Sequence, residues 1–135
     1  MRNKSKVIKR KNEEPPLAIE KWGWRYHHIG IPSTIPREGE FHLPLFGVHV
    51  CGFETSPFGI EWMRYDPDSS VEELIKKVPH IAFEVDDIDL ELKKHRFKIL
   101  TSPNSPGDGI KVAMIEHNGA PVELIEFTGF HPRKQ

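Results

Sequence analysis

Apolar residues recur at helical spacing in only two stretches of this chain; elsewhere they come in short runs that read as strands. Val71, Leu74, Ile75 and Val78 fall at i, i+3, i+4 and i+7, which predicts a short helix with one apolar face. Ser70 with Glu73 three residues on matches a capping box at its start, and Pro79 stops it. Asp86 or Asp87 is placed to cap a second helix running through His95, with Ile88 and Leu92 turned inward. Strands are predicted over residues 26–32, about 46–53, 59–65, 80–85, 97–101, 110–117 and 120–127. Asn118-Gly119, between the last two, is a strong signal for a two-residue hairpin turn. Pro32, Pro36, Gly39 and Pro44 make residues 32–45 an irregular loop.

The two halves of this pattern repeat one another. His28-Ile29-Gly30-Ile31 matches His80-Ile81-Ala82-Phe83: histidine, apolar, small, apolar at the start of a strand. Residues 59–65 match 121–127, placing Glu61 and Glu123 at the same position of a closing strand. The histidines are 52 residues apart and the glutamates 62, so the first copy is shorter by about the length of the helix it lacks. Side chains alternate along a strand, so His28 shares a face with Gly30, and His80 with Ala82, which leaves space around each imidazole. Glu61 and Glu123 interrupt otherwise apolar strands. A buried carboxylate is costly unless it is paired or bound to a cation, and two histidines and two glutamates converging on a metal ion remove that cost.

Composition narrows the class without changing this picture. The chain has 135 residues with 37% hydrophobic and 29% charged residues, as in an ordinary globular domain. No apolar run reaches membrane-spanning length, and no secretory signal is expected, so a cytoplasmic protein is the expectation. Cys51 is the single cysteine and reads as a small core residue. Six of the 19 basic residues lie in residues 1–11, leaving 13 against 20 acids and about −7 for the remainder. That remainder repels phosphate and the tail has no aromatics, so nucleic acid is not an expected partner. Residues 1–25 read as a disordered basic leader over 1–16 and a packing arm over 17–25 around Trp22 and Trp24. Residues 26–127 form one domain with modules at about 26–66 and 79–127, and residues 128–135 a loose tail.

His28 in HHIGIP, Glu61 in GIEWMRY, His80 in PHIAFEVDDI and Glu123 in PVELIEF together resemble the vicinal-oxygen-chelate superfamily. That family includes glyoxalase I, methylmalonyl-CoA epimerase, extradiol dioxygenases and the fosfomycin- and bleomycin-resistance proteins. The resemblance covers about residues 26–127 and is strongest over 79–127; in ligand pattern it is nearest glyoxalase I and methylmalonyl-CoA epimerase. It implies an α+β fold in which paired βαβββ modules form a cupped mixed sheet, here with the first module shortened. It also implies that His28, Glu61, His80 and Glu123 ligate a divalent metal ion. Imidazole with carboxylate suits nickel, cobalt, zinc, iron or manganese. The implied activity is that of a glyoxalase-like lyase or isomerase acting on a small oxygenated metabolite, with Glu123 or Glu61 as the base that removes a proton beside a metal-bound carbonyl. A homodimer is implied as well. Two other readings stay open: a non-catalytic small-molecule-binding protein of the resistance type, and a dioxygenase using the triad His28, His80 and Glu123.

The remaining polar residues have plainer readings. His27 is expected on the face opposite His28. His42, His49, His95, His117 and His131 show no partner spacing and read as surface or loop residues. Glu126 alternates away from Glu123 and reads as solvated or salt-bridged.

Overall fold

The computed structural model describes residues 7–129, so the first part of the basic leader, the end of the loose tail and His131 lie outside the described residues. Eight strands form one mixed sheet: β1 (Arg25–Pro32), β2 (Phe41–Leu43), β3 (Val48–Cys51), β4 (Ile60–Tyr65), β5 (His80–Glu84), β6 (Lys98–Gly107), β7 (Ile110–His117) and β8 (Ala120–Phe127). Their order is β2-β3-β4-β1-β5-β8-β7-β6, which reads the same from either end if each strand is replaced by its counterpart in the other module. β1 pairs with β4, and β5 with β8, in parallel. The antiparallel β1–β5 pair joins the two halves at the centre of the sheet. This is the expected cupped α+β architecture.

Alternation decides which face each residue serves. In β8, Glu123 and Ile125 look into the cup, while Val122 and Leu124 pack into the outer core. That core contains Trp24, Phe83, Val85, Ile88, Ala113, Ile115 and Leu124. It is covered by α3 (Ile88–Lys94), with Ala18 of the short helix α1 (Leu17–Glu20) and Trp22 just after that helix packed against it. Trp24 is anchored as well as buried, since its Nε1 donates to the buried Glu91 carboxylate at 2.8 Å. Asp87 caps α3 by accepting from Leu90 N at 3.1 Å. Glu126 is half-buried opposite Lys111, and its carboxylate also accepts from Ile88 N at 2.8 Å, which ties the start of α3 to β8.

The first module departs from the sequence reading in two places. Residues 32–45 are not all loop, because Phe41–Leu43 forms β2 on β3. A three-residue edge strand following two prolines and a glycine carries too short an alternation to be seen. No helix stands between β1 and β2, so the outer face of β4 is covered differently. The Arg37 guanidinium lies over the Trp62 ring at 4.1 Å, and Arg64 makes a two-pronged contact with Glu40 at 2.6 and 2.9 Å.

The capping box also does not form. The linking helix α2 spans only Glu73–Lys77, with Glu72 at its N-cap and no side-chain cap. Ser69 takes over: its hydroxyl donates to Phe46 O at 2.6 Å and accepts from Val71 N at 3.3 Å, holding the approach to the helix in a turn. The apolar face survives, and Val71 and Ile75 point it into the cup. Asn118 and Gly119 both take positive φ, 48° and 85°, as the expected hairpin turn requires. No helix among the described residues is long and apolar enough to cross a membrane.

Candidate metal centre

The site grows out of the register at the central seam. Gly30 of β1 lies between Glu61 of β4 and His80 of β5, while Ala82 of β5 lies between His28 of β1 and Glu123 of β8. Each small residue makes room for the histidine contributed by the other module. At Gly30 the fit is tight, because a Cβ there would overlap the His80 ring unless the ring moved.

His28 and His80 are buried, and their Nε2 atoms stand 3.3 and 3.1 Å from the same Glu123 Oε1. One donor atom from each of these three residues lies within 4.8 Å of the other two. Glu61 belongs to the same cluster but stands aside. Its carboxylate is 3.7 Å from His28 Nε2 and outside the three-atom set. All four residues selected from the sequence therefore meet in one place, three closely and one at the margin.

His27 overturns its expected placement. The β1–β5 register shifts between Tyr26 and His28, so two residues of β1 oppose one of β5 and His27 is the extra residue of a bulge. It lines the cup beside His28, with the two Nδ1 atoms 2.8 Å apart and its ring stacked on Phe53 at 5.0 Å. Strict alternation could not foresee this; the doubled histidine was the only local sign. When the shared proton sits on His28 Nδ1, His28 Nε2 is left as a lone pair facing Glu123 and the cup.

The electrostatics divide the two carboxylates. Burial pushes the Glu123 carboxyl up, but the His28 and His80 rings outweigh burial and hold it below the usual carboxylate range. Burial dominates at Glu61 and raises it, with the Glu123 charge adding to the rise and His28 and His80 opposing it. Burial pulls His28 down, yet contact with Glu123 and the charges of Glu123 and Glu61 carry it above the ordinary histidine value. His27 is lowered by burial and then by its neighbour His28.

The donor set fits a divalent cation. His80 is 2% exposed, and both of its ring nitrogens lack a hydrogen-bond partner. Its 3.1 Å approach to Glu123 is close in distance but not aligned as a hydrogen bond. Leaving such a group unsatisfied costs about 1–3 kcal/mol. An ion at the point where these atoms converge would remove that cost, and two imidazoles with carboxylate select a borderline metal.

The centre lies in a cavity of ≈ 1010 Å³. Leu43, Leu45 and Phe46 wall one side, and Leu100, Ile110 and Val112 the other. No lysine or arginine lines it among the described residues.

By sequence, the chain matches no family model and no curated protein. By structure it is similar to a hypothetical protein from Bacillus halodurans C-125, at 22% identity and a TM-score of 0.61, covering 82% of this chain and 99% of that one. It is also similar to methylmalonyl-CoA epimerase from Mycobacterium tuberculosis, at 16% identity and a TM-score of 0.52, covering 78% of this chain and 89% of that one. The chain has a vicinal-oxygen-chelate fold.

Two outcomes test how the vicinal-oxygen-chelate cup is organised. Gly30→Ala forces the His80 ring aside, and denaturant unfolding should show a loss of about 1–3 kcal/mol. In a His80→Ala background the same change should cost little, because the ring that it meets is gone. Equal costs in both backgrounds would refute the contact. His27→Phe keeps a ring to stack on Phe53 but removes the partner of His28 Nδ1. Competition with a chromophoric chelator should show metal affinity weakened by about 10–100-fold in a folded protein, and unchanged affinity would mean that His27 does not orient His28.

Proposed function

We propose that the chain is a divalent-metal-dependent lyase or isomerase of the glyoxalase type. His28, His80 and Glu123 are the ligands, and Glu61 is the general base. The observation that carries this reading is the buried His80 ring, both nitrogens unpartnered, converging with His28 and Glu123. A bound ion would supply Lewis-acid polarisation of a substrate carbonyl. Glu61, raised by burial and outside the closest donor set, is positioned to take a proton from the adjacent carbon. Glu123, held ionised by the two rings, is suited to ligation instead. Tyr65 on the wall stays a phenol, since burial and then the charges of Glu123 and Glu61 raise its pKa. The wall supports a molecule with a sizeable body and neighbouring oxygens for the ion, since the cavity is large and no lysine or arginine lines it among the described residues.

A second reading is favoured by the stand-off of Glu61. Two histidines and one carboxylate alone are the ligand set of an iron dioxygenase. Oxygen uptake dependent on ferrous iron would select it over the first.

Protein purified without chelators should carry about one divalent ion per chain at the cup, and Glu123→Gln should fold but hold it poorly. Glu61→Gln should keep the ion and lose about a hundredfold or more in solvent-deuterium exchange at the α-carbon of apolar hydroxyketones, followed by NMR. No metal, with no stabilisation by nickel, cobalt, zinc or manganese, would end this reading.

We also propose a homodimer. Among the described residues both ends of the sheet, β2 and β6, are open edges, and Phe41 and Ile99 on them are exposed. Light scattering at micromolar concentration should give twice the 15.6 kDa chain mass, and a monomer would refute it.

A further inference from the structure

The outer face of the first module, which lacks a covering helix, carries a second convergence of ligating groups. His42 of β2 and His49 of β3 are direct cross-strand partners, and their rings stack with centroids 4.2 Å apart. Val48 and Val50 look into the cup, so alternation turns His49 outward. Asp66 immediately follows β4 on the same side, in line with Trp62 and Arg64. Its two carboxylate oxygens meet His42 Nε2 at 2.9 Å and His49 Nε2 at 3.0 Å.

One donor atom from each of the three lies within 4.8 Å of the others, so small side-chain movements would bring all three to ligand distance. The backbone beneath is fixed: Asp66 N donates to Gly47 O at 2.8 Å, and Ser69 N to Asp66 O at 3.0 Å. His42 and Asp66 open on a cavity of ≈ 270 Å³, in which Asp68 adds a second carboxylate.

We propose that His42, His49 and Asp66 form a second cation site, separate from the cup, for a borderline divalent ion such as zinc. Three protein ligands with one side open to solvent leave a fourth position for water. A dication would sit where the two imidazole Nε2 atoms now meet the Asp66 carboxylate. The site would also act on the cup. Leu45 and Phe46, in the turn between β2 and β3, wall both cavities, so an ion joining the two strands to Asp66 restrains the rim.

Equilibrium dialysis of chelator-stripped protein against zinc at neutral pH tests this. His42→Gln and Asp66→Asn should each bind one zinc fewer per chain than wild type, or bind it about tenfold or more weakly. His80→Ala reports on the cup alone, so loss at His42 with no effect at His80 would uphold this site while removing the cup as a metal centre. His42 is partly exposed on an edge strand, so its variant decides the matter even if Asp66→Asn fails to fold. Wild type and His42→Gln binding the same number of ions with the same affinity would overturn the proposal and leave the triad as a hydrogen-bonded clasp.

Discussion

The antiparallel seam between β1 and β5 fits together only because a histidine ring lies where a side chain would otherwise be. His80 occupies the space above Gly30, and His28 stands opposite Ala82, so the two modules meet through an exchange of imidazole against a small residue. The parallel neighbours β4 and β8 then bring Glu61 and Glu123 alongside. A single packing constraint thus joins the halves of the sheet and gathers four titratable groups at the base of the cup. Core packing elsewhere tolerates volume-conserving exchange. This position does not, because the filler is also a polar group whose nitrogens need partners.

Those groups are mostly withdrawn from solvent, and burial makes small differences in position matter. Glu123 touches both rings and is driven toward the ionised form; Glu61 touches one at longer range and is driven the other way. Two carboxylates at equivalent places in a repeat thereby acquire different chemistry from their environment. His27 adds a further asymmetry, since the bulge that turns it inward exists in β1 and has no counterpart among the register shifts of β5.

The outer faces diverge more strongly than the inner ones. On β8, Leu124 packs into the core beneath α3 and Glu126 holds the start of that helix. At the matching places on β4, Trp62 is covered by Arg37 and Arg64 is held by Glu40. The first module has no helix between β1 and β2, and a row of polar pairs stands where the second module has apolar burial; the last of the row is the His42–His49–Asp66 cluster. The two modules match on the inner face and differ on the outer one.

What the sequence determined by itself was local and periodic. Alternation and the matched HHIGIP and PHIAFE strands placed His28, His80, Glu61 and Glu123 on one face. Asn118-Gly119 and Asp87 marked a turn and a cap that formed where expected. The departures share one cause, which is that they rest on contacts between segments distant in the chain. The bulge that brings His27 inward depends on β5, where Phe83 and Ala82 pair with Tyr26 and His28 from a distant part of the chain. Ser69 displaced the Ser70 capping box because Phe46 O was within reach. His42 and His49 looked partnerless because a three-residue edge strand is invisible until its neighbour pairs with it, and Asp66 joins them only once β4 lies beside β3. Side-chain period is a property of the chain; register, and therefore which polar groups finally meet, belongs to the folded sheet.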